Sequence, residues 1–279
     1  MSLTIQTNKA AMIALQNLNA TTENLQSTRN KIGTGFRISS AKDNSAIWAI
    51  AQNQRADLGG LAAVKMGLDR AQSIGDTALT AGQTVSELLV QIKEKVVAAK
   101  DTSLNTTSRK ALDTDFKALL RQITQVVRDA AFDGAKLLDN SLPGGIGFLA
   151  DAEGSAVITL SNQDLRLGQT NITLSANSSI LTLAGANANL SRLNASIEKV
   201  SLALADMGAQ VKQLQSHNTF VSKLTDSVEA GVGNLVDADL AKESARLQAL
   251  NVQQQLGAQA LSIANQSPQI ILSLFRGGG

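Results

Sequence analysis

Reactive and ligating side chains are few in this chain, and they stand far apart. Ser39-Ser40-Ala41-Lys42 contains the spacing S-x-x-K, which in penicillin-recognising enzymes puts a nucleophilic Ser one helical turn from a Lys. No SDN or KTG string accompanies it, so these Ser residues and the Asp that follows read as a helix start, where side-chain oxygens cap free N–H groups. Gly33-Thr34-Gly35 lacks the third Gly and the preceding strand of a phosphate-binding loop, and reads as a break between two helices. Asp237-Ala238-Asp239 offers two carboxylates to a hard cation without further oxygen ligands, and reads as the start of the next helix. His217 is the single His and no HExxH string is present, which makes it a core or surface residue rather than a metal ligand. Lys93, Lys95 and Lys100 alternate with Glu94 and Asp101 as a solvated helix face. The N-x-S/T strings at Asn105, Asn171, Asn177 and Asn194 are chance matches in an Asn- and Ser-rich chain.

Composition narrows the classes further. The 279 residues are 43% hydrophobic and 17% charged, with 25 basic against 23 acidic side chains, enough for a core and too balanced to point to nucleic acid. One Trp, six Phe and no Tyr leave little for stacking on bases or sugars. The absence of Cys removes disulfides and thiolate metal sites. The expectation is therefore a protein with no cofactor, no metal and no catalytic centre. The opening MSLTIQTNKA lacks the basic-then-apolar order and cleavage site of a secretory signal, so the chain stays inside or leaves by another route.

Periodicity supplies the scaffold. Leu61, Val64, Leu68, Ala71, Gly75, Ala78, Gly82, Val85, Leu89, Ile92, Val96 and Ala99 recur at steps of three and four. So do Leu112, Phe116, Leu119, Ile123, Val126 and Ala130, and a third run extends from Leu190 through Val211 to Leu235 with only Asn218 and Thr225 polar. Such spacing predicts helices that pack along their length. At ~1.5 Å per residue the third run is roughly 68 Å long, so the expected architecture is mainly α, an elongated rod of long antiparallel helices. Near the start, Leu15, Leu18, Thr22, Leu25, Arg29 and Ile32 keep heptad spacing, and from Leu247 to Phe275 no residue is charged. That last stretch carries too many Gln and Asn for a membrane span and too broad an apolar face for water, which predicts burial against further polypeptide, beyond what one copy supplies. In the middle, Leu142-Pro143-Gly144-Gly145 breaks helix. Val157–Ser161 and Asn171–Ser175 read as two short strands of a small β-rich insertion, with Asp151–Gly154 as the turn before the first.

Several strings resemble the bacterial flagellins. Ile38 to Gln52, ISSAKDNSAIWAIAQ, is similar to the family's run after its first helix. Phe132 to Leu138, FDGAKLL, is similar to its FNGxKLL turn, and Gly233 to Arg276 resembles its carboxyl-terminal region almost end to end. Ile47-Trp48 and Ala241 to Ala245 look most like flagellins of alphaproteobacterial type. The resemblance implies a structural subunit of the hollow flagellar filament, exported through the flagellum's type III apparatus and extracellular. Its partners would be copies of itself, sister flagellins, the export machinery and its chaperone, and the filament cap and hook-filament junction proteins, with no nucleic acid. A flagellin-like hook-filament junction protein is the alternative. The inner helix pair would be Leu3 to Ile32 with Leu240 to Phe275, and the surrounding helices Ser45 to Ala99, Ser108 to Ala130 and Ala188 to Leu235. The corresponding divisions are 1–44, 45–139, a short outer insertion 140–186, 187–235 and 236–279. Assembly would fall to Leu15, Leu18, Leu25, Ile32, Leu247, Val252, Leu256, Leu261, Ile263, Ile270, Leu274 and Phe275. The zinc-peptidase variant of the family requires the HExxH that is absent here, and a sugar-binding insertion would have Phe148 as its only aromatic.

Overall fold

Each of the five helices among the described residues starts at a residue whose side-chain oxygen accepts a backbone N–H from its first turn. The computed structural model describes residues 8–276, with side chains described through residue 266. Asn8 accepts from the N–H of Ala11 (3.1 Å) and opens α1, Lys9–Thr34. Asn44 accepts from Ile47 (3.1 Å) and opens α2, Ser45–Ala98. Asn105 accepts from Ser108 (2.7 Å) before α3, Thr106–Asp129. Thr182 accepts from Gly185 (3.1 Å) before α4, Leu183–Val236, and Asp239 accepts from Lys242 (3.1 Å) before α5, Leu240–Arg276. Each such cap satisfies a donor that the helix itself leaves free. The Asp239 reading holds. The S-x-x-K string instead forms a turn ahead of Asn44, with the N–H and hydroxyl groups of Ser39 and Ser40 all donating to Asp43 Oδ2. Gly33 and Thr34 are the last turn of α1, which stops because Gly35 adopts φ +75° and sends its N–H to Lys31 O (2.9 Å).

The described chain forms two compact units, residues 56–227 and the combination of 1–55 with 228–279. In the first, the predicted α2 run is buried from Leu61 through Leu68, Ala71, Val85, Leu89 and Ile92 to Ala99, facing Leu193, Val200, Met207, Leu214 and Val221 of α4 and Phe116, Leu120 and Ile123 of α3. Gly75 and Gly82, seven residues apart, lie beneath Val211 and Leu204 of antiparallel α4, also seven apart. A Cβ on Gly75 would stand 2.5 Å from Val211 Cγ2. Val is stiff about χ1, so Gly75→Ala is expected to destabilise the subunit by about 1–3 kcal/mol. Gly67→Ala, with no atom within 4 Å of the added carbon, is expected to stabilise it by about 0.5–1 kcal/mol. Thermal denaturation of the two variants, followed by circular dichroism, reads both signs.

On α3 the buried line is Asp113, Phe116, Leu120, Ile123 and Val127, displaced from the predicted Leu112, Leu119 and Val126, which are only half-buried. The reason is Asp113, 4% exposed, whose Oδ1 accepts from Ser179 Oγ and Ile180 N (2.7 Å each) while Oδ2 pairs with Lys117 Nζ at 2.8 Å. Burial pushes this carboxyl up, but Lys117, the Ile180 N–H and the Ser179 hydroxyl together hold it below the usual carboxylate range. Its stabilisation is thus present above the unfolded value of ~3.9 and lost as pH falls through the lower folded value. Asp113→Ala strands the buried N–H of Ile180, and is expected to cost about 1–3 kcal/mol at pH 7 and to flatten the acid limb of the stability–pH curve. Urea unfolding at pH 7 and at pH 3 checks it.

The insertion holds two strands, as predicted, but one of them is not the segment expected. β1 (Ile146–Leu149) pairs antiparallel with β2 (Val157–Leu160), Phe148 opposite Ile158, across a turn that includes Asp151–Gly154. The partner of the predicted strand at Val157 is therefore β1, ahead of that turn. Asn171–Ser175 is not a strand but packs on α4: the N–H of Thr173 donates to Ser196 Oγ (3.0 Å) and Ile172 and Leu174 are buried. Its alternating pattern was real, but its hydrogen bonds are divided: the Thr173 N–H donates to a helix side chain, while the carbonyls of Ile172 and Leu174 accept from the backbone N–H groups of Gln169 and Gly168.

Candidate assembly surface

The other unit is built on α1 and α5, which run antiparallel: Asn8 Nδ2 donates to Ala264 O at 2.7 Å, Gln254 Nε2 to Thr22 Oγ1 at 3.4 Å, and Lys31 stands 4.0 Å from Glu243. Along α1 the covered positions are Ala11, Ala14, Leu18, Thr21, Leu25, Thr28 and Ile32, steps of three and four that keep one stripe on the partner helix. On α5 the matching stripe is Glu243, Leu247, Leu250, Gln254, Gly257, Leu261 and Ala264. Gly257 lets the helices close in, since a Cβ there would lie 3.3 Å from Leu18 Cδ1.

This geometry sorts the predicted assembly residues into two sets. Leu25 is 2% exposed, and Leu18, Ile32, Leu247 and Leu261 are half-buried, all on the stripe between α1 and α5. Leu15 (47% exposed), Val252, Leu256 (59%) and Ile263 (69%) face away from it, joined by Met12 and Ile13. Met12, Ile13 and Leu15 line a shallow groove with Gln16, Asn19, Ala20 and Glu23. Ile270 lies within α5, and Leu274 and Phe275 near its end, outside the residues whose side chains are described. The heptad spacing seen in the sequence runs through Leu15 and Thr22, one position away from the covered Ala14 and Thr21. Following the largest apolar residues missed that small and hydroxyl side chains can make a close helix contact. It also missed that both connecting segments meet. The N–H groups of Arg37 and Ile38 donate to Val236 O (2.7 and 3.2 Å), that of Ala238 donates to Gly35 O (2.9 Å), and the Arg37 guanidinium reaches Leu235 O (2.8 Å). The string Gly35-Phe36-Arg37-Ile38 carried that information, with Ile38 buried and Arg55 stacked on Phe36 at 5.5 Å.

The residues with chemical potential do not converge. Among the described residues no three His, Cys, Asp or Glu side chains are grouped to hold a metal, and no helix is long and apolar enough to cross a membrane. His217 Nε2 lies 2.7 Å from Ala150 O, and its ring stands 5.8 Å from that of Phe220. Lys95 pairs with Asp115 at 3.0 Å across to α3. Asn171 Nδ2 donates to Asp164 O, so Asn105 and Asn171 are spent on local structure.

Long capped helices, a two-stranded insertion and a terminal helix pair with an apolar outer face define a helical structural subunit built to associate with others. The flagellin N-terminal helical region matches residues 5–142 and the flagellin C-terminal helical region residues 190–275. Flagellin FljJ of Caulobacter vibrioides is 52% identical over the whole of both chains, and a flagellin of Brucella melitensis 39% identical over 98% of this chain and 99% of its own. A solved structure described as a flagellar hook-associated protein of Vibrio parahaemolyticus shares the fold, with a TM-score of 0.58 at 14% identity over 70% of this chain and 100% of that one. The chain belongs to the bacterial flagellin family, of alphaproteobacterial type, and is a structural subunit of the flagellar filament.

Proposed function

We propose that the outer apolar faces of α1 and α5 carry filament assembly, through Met12, Ile13, Leu15, Val252, Leu256 and Ile263, with Ile270, Leu274 and Phe275 continuing the α5 contribution. The observation behind this reading is that large side chains on two helices of one unit remain exposed where they face away from each other. Removing such area from water is worth ~25 cal/mol per Å², so a few thousand Å² shared among neighbours makes association favourable. Leu18, Leu25, Ile32, Leu247 and Leu261 hold the pair itself and thereby orient the outer residues. The subunit is non-catalytic, leaves through the flagellar export machinery with a chaperone, and meets sister flagellins, the cap and the junction proteins in the extracellular filament. Within it, residues 1–44 and 236–279 form the inner layer, 45–139 and 187–235 the surrounding one, and 140–186 the outer insertion. Electron microscopy of purified protein incubated with short filament seeds tests this. Tubular growth supports it, and persistent monomers under those conditions would overturn it.

A further inference from the structure

Two helix faces of the 56–227 unit carry opposite charge at matching intervals. On α2, Asp69, Asp76, Glu87 and Glu94 are exposed and lie within about 20° of one another at ~100° per residue. The basic residues of α2 between them, Arg70 and Lys93, project about 110° away; Lys65 lies one turn before the row. On α3, exposed Lys110, Arg121 and Arg128 and half-buried Lys117 lie within about 40° of one another along one flank. The acids of that stretch are elsewhere engaged: Asp113 is buried beneath Lys117, and Asp115 is on the far side, paired with Lys95. Asp69 accepts from Asn218, and Arg128 pairs with its neighbour Asp129, at 3.4 Å. Asp76, Glu87, Glu94, Lys110 and Arg121 have no ion-pair partner among the described residues.

We infer that these faces are complementary docking surfaces between copies of this chain, the α3 row of one seated on the α2 row of the next. The inference rests on the filament reading above. α2 and α3 are antiparallel within one copy, Lys95 reaching Asp115 and Arg70 reaching Asp133 beyond the far end of α3. Copies that share one direction, as a head-to-tail helical assembly requires, keep α3 of one antiparallel to α2 of its neighbour. In that sense Glu94, Glu87 and Asp76 follow intervals of seven and eleven, and so do Lys110, Lys117 and Arg128. Three charges on each side therefore meet along ~27 Å of helix; a slip of seven residues opposes three again, Glu87, Asp76 and Asp69 against Lys110, Arg121 and Arg128, and any other slip opposes at most two. The apolar terminal helices supply a non-directional attraction, whereas these rows supply orientation and register.

The full-length protein tests this through two double variants, Lys110→Glu with Arg128→Glu and Asp76→Lys with Glu94→Lys, followed by light scattering and electron microscopy at low ionic strength. All four positions are exposed, and circular dichroism melts check that both variants fold. Each alone is expected to assemble at least about tenfold more slowly than wild type. An equimolar mixture recovers, because every reversed row then meets its complement in the other variant, and so does the quadruple variant. Wild-type rates in both double variants, or a mixture and a quadruple variant no faster than either double, would overturn the charge pairing while leaving the filament reading intact. Failure of the wild type itself to assemble would overturn both.

Discussion

A chain shortened to residues 1–246 remains helical and folded in its 56–227 unit but forms no filament at any concentration that polymerises the full protein. The truncation removes all of α5 beyond its first two turns, taking Leu250, Gln254, Gly257 and Leu261 from the face of α1, along with the exposed Val252, Leu256 and Ile263. The core around Leu89, Phe116, Leu193 and Met207 lies wholly outside the deleted region, so its melting transition stays near that of the intact subunit. Sedimentation together with electron microscopy reads the loss of polymer, and circular dichroism reads the retained fold. Filaments of ordinary stability from this truncation would refute the assignment of assembly to the terminal helices.

Point changes within the same helices separate the inner stripe from the outer face. Leu256→Gln combined with Ile263→Gln touches two side chains that are 59% and 69% exposed, so subunit stability shifts by less than about 0.5 kcal/mol while the critical concentration for assembly rises at least about a hundredfold. Leu25→Ala acts in the opposite order. It opens a cavity at a residue 2% exposed, costs about 2–5 kcal/mol in the unit that holds α1 and α5, and weakens assembly only through that loss. Urea titration of the subunit and pelleting assays of the polymer, run on both variants, distinguish the two. Equal effects on stability and assembly in the Gln variant would mean that its positions also support the monomer.

The sequence made the long helices legible because each repeats large apolar residues over many turns, and the Asn or Asp that caps α2, α3 and α5 stands just ahead of each run. What escaped it were contacts set by small or polar groups. Asp113 carries no apolar signal, yet it fixes the rotation of α3, because the N–H of Ile180 and the hydroxyl of Ser179 need an acceptor inside. Thr21 and Thr28 are buried beside Leu25, where periodicity read from Leu15 and Thr22 gave a face one residue off. Asn171–Ser175 alternates like a strand, but a pattern of period two reports only that one side is buried, not which element lies against it. Of the assembly surface, the uncharged composition of α5 announced that something must cover it. Only the pairing with α1 divided those residues into a set already covered and a set still open to water.

That pairing joins opposite ends of the polypeptide: Asn8 and Ala264, in hydrogen-bond contact, are separated by 256 positions in the chain. A ribosome must translate across all 256 of those positions before this part of α1 can meet α5, and loop closure over so long a span comes late in folding. Unfinished nascent chains therefore lack the completed latch, and synthesis itself enforces a delay between making the subunit and making it sticky.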